Sequence, residues 1–238
     1  MFTERTSVGL DVHARSVVAA AIDTHTGTTK TARLVPSDEV VLDWVGQLGG
    51  PVAVAYEAGP TGYGLARTFA QAGTRCVVAA PSKIVRPAGD RVKTDAKDAM
   101  LLARLLRMDE LTAVRVPSVA EEAARDLVRA REDTRIDLMA ARHRLSKLLL
   151  RHGHIYNGGH AWTPDHERWL RGIRFDQYGT QAAFDTCYED VIFTAARRAQ
   201  LDRQIEAMAA DSEFTPIVNR RLRPCRTTRQ AVTNPRMS

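Results

Sequence analysis

The stretch Ser-Val-Gly-Leu-Asp-Val-His, from Ser7 to His13, is a predicted strand whose apolar run is interrupted by one carboxylate, Asp11. A carboxylate among apolar strand residues carries a desolvation cost unless a positive group compensates it. Packing alone does not explain Asp11, so we interpret it as a functional residue.

Three further carboxylates occupy positions that packing explains poorly. Glu57 closes a second apolar run, and Asp95 and Asp98 begin a predicted helix. Residues at i and i+3 share one helix face, so the last two carboxylates can meet the same site. Considered alone, Glu57 could be an ordinary surface residue at the end of a strand, and Asp98 could be an ordinary solvated residue in the first turn of a helix. As a set they indicate one or two Mg²⁺ ions, roughly 3.5–4 Å apart if two, and metal-dependent phosphodiester chemistry.

The overall charge is a weaker guide to function. The chain has 238 residues, 44% of them hydrophobic, which allows one sizeable domain or a domain with a helical appendage. Its formal charge is +6, but residues 216–238 hold six arginines and no acidic residue. The remaining 28 basic and 28 acidic residues balance. Nucleic-acid binding must therefore be argued from local basic patches.

Compartment signals point to the cytoplasm. No apolar stretch approaches the roughly 20 residues of a membrane helix, and the first residues lack the apolar core of a signal peptide. Cys76, Cys187 and Cys225 lie far apart without metal-site spacing, which suits a reducing environment. We expect a cytoplasmic, nucleoid-associated protein with no membrane partner.

The first third of the chain has an α/β pattern. Apolar runs predict strands over residues 8–12, 16–23, 51–56 and 75–80, and the Thr-rich stretch at residues 28–34 predicts an outer strand. Helices are predicted after an N-cap at Ser37, with Gly49 and Gly50 beyond its end, and over residues 61–72. Three strands in a hairpin series, followed by alternating helix and strand, predict a mixed sheet with helices on both faces. The first strand would be central with the fourth parallel beside it, which makes Asp11 and Glu57 neighbours.

The later part of the chain is predicted to be helical. Residues 95–108 form one predicted helix, a second runs from a cap at Ser118 to about Arg151, and a third covers residues 181–210. Leu138, Ala141 and Leu145 follow a spacing near 3.5 residues, so the long helices could form an antiparallel pair or a coiled-coil dimer arm. We expect domains at residues 1–116 and 117–215, then a disordered Arg-rich tail over residues 216–238.

Four motifs resemble a known family of insertion-sequence proteins. They are Val-Gly-Leu-Asp-Val-His (8–13), Tyr-Glu-Ala-Gly-Pro-Thr-Gly-Tyr-Gly-Leu (56–65), Val-Val-Ala-Ala-Pro-Ser-Lys-Ile (77–84) and Lys-Thr-Asp-Ala-Lys-Asp-Ala (93–99). Ala161–Leu170 also fits. The chain resembles the DEDD-type transposases with a RuvC-like N-terminal domain, a group that includes pilin-gene-inverting and bridge-RNA-guided recombinases.

The resemblance implies a fold and an activity. It implies an RNase H-like, RuvC-like domain in residues 1–116, with Asp11, Glu57, Asp95 and Asp98 as a catalytic, Mg²⁺-binding tetrad. It implies transposition or site-specific recombination of DNA, with a structured guide RNA and a homo-oligomer formed through the helical arm. Family members continue into a C-terminal domain carrying a serine nucleophile, whereas this sequence diverges from about Arg226. We therefore expect a truncated copy.

Basic residues near the tetrad and along the first long helix are candidate nucleic-acid contacts. Each could neutralise a phosphate, and each could instead be a solvated surface residue. The candidates are Lys83, Arg86, Arg91, Lys93, Lys97, Arg125, Arg129, Arg144, Lys147 and Arg151.

Smaller motifs leave alternatives open. The Gly-rich loop at residues 59–64 could cradle a phosphate, or Thr61 could simply cap the next helix. The histidines at residues 143–166 match no compact zinc motif, and the three tryptophans are interpreted as packing residues.

Two other functions compete with recombination. The chain could be a binding remnant that holds nucleic acid or full-length partners without recombining them. It could also be an actin-like ATPase, which begins with a similar strand and hairpin, but no second Asp-Gly-Gly-type turn follows in the sequence.

Overall fold

The computed structural model describes residues 4–85 and 94–210. The chain divides into two compact units after Ser118. The strands of the first unit are β1 (Thr6–His13), β2 (Ser16–Asp23), β3 (Thr29–Leu34), β4 (Val52–Glu57) and β5 (Arg75–Ala79). Its helices are α1 (Asp38–Gly46), α2 (Gly64–Gln71) and α3 (Asp95–Met108), with a 3₁₀ turn at Pro81–Lys83.

The five strands form one mixed sheet in the order β3-β2-β1-β4-β5. β1 is antiparallel to β2 and parallel to β4, and β4 is parallel to β5. This is the RNase H-like arrangement, so the predicted fold class and the central position of β1 are confirmed. Short connections explain the antiparallel hairpins, whereas the parallel pairings require the helical crossovers α1 and α2.

The two faces of the sheet carry side chains of different size. Alternate residues of a strand point to opposite faces. On one face, the large apolar strand residues Val8, Leu10, Val17, Val54 and Tyr56 pack against Val41 and Val45 of α1 and Leu65 and Phe69 of α2. On the other face, the small strand residues Gly9, Ala20, Ala53 and Ala55 pack against α3, which contributes Ala99 and Ala103.

Gly9 sets how closely α3 approaches the sheet. A Cβ atom on Gly9 would lie 2.0 Å from the carbonyl oxygen of Ala99 and 2.6 Å from the backbone nitrogen of Ala103. Backbone atoms cannot rotate away as a flexible side chain can, so only glycine allows this contact. The consequence is that α3 is held against β1 at Ala99–Ala103, directly after the first turn that carries Asp95 and Asp98.

Helix ends agree only partly with the sequence predictions. Ser37 is the residue preceding α1, but its side chain makes no capping hydrogen bond. The helix predicted from Thr61 begins at Gly64 instead, because residues 59–62 form a turn in which the Gly62 amide donates to the Gly59 carbonyl. Gly62 has a left-handed φ of 74° there. Thr61 is therefore not the helix cap.

The second unit is built around two long helices, α4 (Val119–Arg151) and α6 (Tyr178–Ala210), joined through α5 (Pro164–Gly172). Arg131 contacts Asp202 and Arg144 contacts Asp190, so the long helices run antiparallel. Between them lies an apolar core, which comprises Leu138, Ala141, Leu145, Leu148, Leu149, Leu170, Ile173, Phe184 and Val191. The antiparallel alternative is thus the one observed within the chain, while α5 was not predicted.

Some sequence-based predictions lie outside the described residues. These are the disordered tail over 216–238, Cys225, and the basic residues Arg86, Arg91 and Lys93. Within residues 4–85 and 94–210, no helix is both long and apolar enough to cross a membrane.

Candidate metal centre and nucleic-acid surfaces

The candidate metal centre lies where β1, β4 and the start of α3 meet. Asp11 follows Gly9 on β1 by two residues, so both lie on the α3 face of the sheet. The parallel register pairs Leu10 with Tyr56. Glu57 follows Tyr56, the last residue of that pairing, and by strand alternation it lies on the same face as Ala55.

Helix α3 brings the second pair of carboxylates to this face. Asp95 and Asp98 both lie in its first turn, and Asp98 is next to the buried residue Ala99. Thr94 precedes the helix, and its hydroxyl accepts a 3.4 Å hydrogen bond from the Lys97 amide. The positive end of the helix dipole favours carboxylates in this turn. Asp98 is only 8% exposed, a degree of burial that is unusual for an ordinary first-turn residue.

Asp11 and Asp95 are brought together, and His13 joins them. One ligand atom from each of these three residues lies within 4.8 Å of the other two. His13 Nε2 is 3.1 Å from Asp11 Oδ2. Glu57 and Asp98 lie on the same face but are not members of this close group. Oxygen-rich donors at such distances fit a divalent cation, because carboxylates are the ligands that hard cations prefer.

A basic side chain flanks the centre. Arg33 donates a 3.0 Å hydrogen bond to the Ser16 hydroxyl and lies 3.9 Å from the carboxylate of Asp95. Its position follows from the sheet register, which pairs Arg33 with Val18 and Val18 with Asp11. Arg33, Thr94 and Asp95 also line an open groove of about 570 Å³.

His13 and Arg33 were not predicted from the sequence as site residues. The signal for His13 was available, because it follows Asp11 by two residues on one strand and must share its face. No comparable signal existed for Arg33, since its position depends on the registers of two strand pairs.

The remaining basic candidates are exposed. Lys83 and Lys97 lie in the first unit, and Arg125 and Arg129 lie near the start of α4. Arg129 makes an ion pair with Asp126 on its own helix. Such an exposed pair is weak and does not prevent a contact with phosphate.

Further along α4, a basic groove opens towards α6. Arg144, Lys147 and Arg151 line it together with His143, while Ala183 and Cys187 form its α6 side. Its volume is about 460 Å³. Arg144 is engaged with Asp190 by an ion pair and hydrogen bond, whereas Lys147 and Arg151 present exposed charges one turn apart.

Other titratable groups belong to the structure of each unit. Burial raises the pKa of Cys76 to about 12, so this thiol remains protonated at neutral pH. His166 is buried among Tyr156, Trp162 and Trp169, with ring centroids 4.9–5.5 Å away. Burial lowers the pKa of His166, so its neutral form is favoured. The packing interpretation of Trp162 and Trp169 agrees with these contacts.

Comparison with known proteins identifies the family. A family model described as a transposase, the DEDD type of IS110 elements, matches residues 8–153. The match includes all four predicted carboxylates and more than half of the chain. The chain belongs to the IS110 family of DEDD transposases.

Two curated relatives agree with this assignment. The transposase for insertion sequence element IS1533 of Leptospira borgpetersenii is 31% identical over 218 residues, covering 87% of this chain and 62% of the relative. A protein of Sinorhizobium fredii named as transposase y4qE is 50% identical over 141 residues, covering 59% of this chain and 36% of the relative. The chain thus spans between about a third and just under two thirds of these relatives' lengths.

Proposed function

We propose that the chain supplies the metal-binding domain of a Mg²⁺-dependent DNA transposase, or site-specific recombinase, with Asp11, Glu57, Asp95 and Asp98 holding the ion. The observation that carries the proposal is the convergence of Asp11 and Asp95, which are distant in sequence, within 4.8 Å. When bound, a divalent ion would supply Lewis-acid activation at a DNA phosphate. The carboxylates would hold it, with Asp11 and Glu57 positioned by β1 and β4 and Asp95 and Asp98 by α3.

Metal binding by the carboxylates can be measured by calorimetry. We expect Asp11→Asn and Glu57→Gln each to weaken Mg²⁺ binding by at least about tenfold, since each removes a charged oxygen donor. Asp43→Asn is the matched control, because Asp43 is an exposed carboxylate on α1, on the other side of the sheet. Unchanged Mg²⁺ affinity in both site variants would remove the proposed metal centre.

We further propose that DNA, and a structured guide RNA, contact the basic residues. Lys83 and Lys97 would contact nucleic acid near the metal centre, together with Arg86, Arg91 and Lys93 from outside the described residues. Arg125, Arg129, Arg144, Lys147 and Arg151 would contact the backbone along α4. The groove that joins the last three supports this, because neighbouring exposed cations can neutralise successive phosphates.

Salt dependence tests the α4 contacts. We expect Lys147→Gln to weaken binding of both duplex DNA and structured RNA, and to reduce the salt slope by about one unit per lost phosphate contact. Arg168→Gln removes the same charge from α5, where Arg168 pairs with Asp165, and serves as the control. Equal effects of the two variants would mean that only net charge matters.

Strand exchange separates recombination from binding alone. The recombinase proposal expects metal-dependent exchange of DNA strands by the complete protein, abolished by Asp11→Asn. Nucleic-acid binding with no exchange under any metal condition would favour the alternative, a protein that binds nucleic acid or full-length partners without recombining them.

We also propose that the helical unit mediates homo-oligomer formation. Apolar residues are exposed on α4, away from its packed face, at Val128, Ile136, Met139 and Leu150. Phe193 on α6 is 66% exposed and lies opposite that helix's buried side. Because α4 and α6 pack against each other through their buried sides, these are two separate outward faces, and each fits an apolar face of a second copy of the chain. We expect Met139→Glu with Phe193→Glu to lower the mass measured by sedimentation, whereas Ile155→Glu, on an exposed loop residue, leaves it unchanged.

A further inference from the structure

His13 lies beside the carboxylates of the candidate metal centre but is not one of the tetrad Asp11, Glu57, Asp95 and Asp98. It lies two residues after Asp11 on β1, and its side chain is 53% exposed. Its Nε2 atom is 3.1 Å from Asp11 Oδ2, and a ring nitrogen of His13 lies within 4.8 Å of a carboxylate oxygen of Asp95. The three donor atoms therefore surround one small volume.

These separations suit a shared ion. Two ligands on opposite sides of an octahedral ion, each at about 2.1 Å, are about 4.2 Å apart. Small rotations of three side chains, all at least partly exposed, would bring their donor atoms into that range. β1 provides two of the donors and α3 the third, so both sheet and helix fix the geometry.

The chemistry of the donors differs from that of an all-carboxylate site. Mg²⁺ prefers oxygen and seldom gives up water for nitrogen, whereas first-row transition ions accept imidazole readily. Mn²⁺ accepts both carboxylate oxygen and imidazole nitrogen. An imidazole at this position would therefore shift the metal preference.

Resting on the metal centre proposed above, we propose that His13 is an additional ligand of that centre and makes it a mixed nitrogen–oxygen site that binds Mn²⁺ more tightly than Mg²⁺. The alternative is an ordinary surface contact in which His13 only hydrogen-bonds Asp11. The two roles differ in one direct observable, which is a bond between the metal and a histidine nitrogen.

Electron spin echo measurements on the full chain loaded with Mn²⁺ detect such a bond through ¹⁴N modulation. We expect this modulation in the unaltered protein and its loss in His13→Ala. His25→Ala is the matched control, since His25 is exposed on the turn after β2 in the same unit. Thermal melting of each variant establishes that it is folded.

Calorimetry with each metal alone gives the selectivity. We expect His13→Ala to weaken Mn²⁺ binding by about tenfold or more, and Mg²⁺ binding by less than about threefold. His13→Asp replaces nitrogen with oxygen, so it should restore metal binding without ¹⁴N modulation and favour Mg²⁺.

The outcomes separate the two proposals. Bound Mn²⁺ without ¹⁴N modulation, or modulation that persists in His13→Ala, overturns the role of His13 and leaves the carboxylate centre standing. Absence of binding by either metal, or Mn²⁺ binding that is unaffected by Asp11→Asn, overturns the metal centre and the role of His13 together.

Discussion

The two faces of the sheet use the same strands for different purposes. β1 sends Val8 and Leu10 into a core of large side chains under α1 and α2. It sends Gly9 and Asp11 to the opposite face, where α3 packs on small residues. The large side chains fill the core under α1 and α2, and the small ones allow the backbone of α3 to approach closely. One face is thus built for stability and the other for positioning carboxylates.

Leu10→Ala should produce the largest loss of stability. Leu10 is fully buried, and truncation of such a residue costs about 2–5 kcal/mol through lost transfer free energy and a residual cavity. Metal affinity should stay near its original value in the folded protein, because the α3 face is untouched. Denaturant unfolding and calorimetry below the unfolding transition measure the two quantities. A large fall in metal affinity would show that the faces are coupled.

Gly9→Ala, at the residue next to Leu10, should instead have its main effect on metal affinity. The added methyl group meets α3 backbone atoms, so the helix must shift, at a cost of about 1–3 kcal/mol. Because Asp95 and Asp98 move with α3, we expect Mg²⁺ binding to weaken by at least about tenfold. Normal metal affinity in this variant would contradict the positioning role of the close contact.

A smaller effect on stability is expected from Asp23, which lies at the end of the β1–β2 hairpin away from Asp11. Arg5 donates hydrogen bonds to Asp23 and lowers the pKa of that carboxyl to about 2. The folded state therefore binds this proton less readily than the unfolded chain, whose Asp pKa is near 3.8. The stabilisation is complete above pH 3.8 and is lost as the pH falls towards 2.

Asp23→Asn tests this contrast between a paired structural carboxylate and the metal centre. We expect the variant to be slightly less stable at neutral pH and to show a shallower loss of stability between pH 4 and 2, while Mg²⁺ affinity is unchanged. Urea unfolding across that pH range provides the measurement. Unfolding curves that keep the original slope in acid would mean that other carboxylates dominate there.

Much of the fold could be predicted because its signals are local. Apolar runs predicted four of the strands and a Thr-rich stretch predicted β3, and the capped helix at Asp95–Met108 agrees with the prediction at both ends. The start of α2 could not be predicted, because the turn at residues 59–62 is completed by Tyr56, whose hydroxyl donates to the Gly62 carbonyl. Helix α5 was missed although its start carries local signals: Thr163 caps it, Pro164 is its first residue, and Asp165 and Glu167 lie in its first turn.

The sequence by itself determined the alternation along β1, the unusual carboxylate within it, and the paired carboxylates at the start of α3. These features depend on residue type and short-range periodicity, both of which can be read directly from the sequence. Only the tertiary structure decided that Asp11 meets Asp95, that His13 and Arg33 border them, and that Gly9 admits the backbone of α3. Such contacts depend on strand register and helix approach, which arise from packing between residues far apart in sequence.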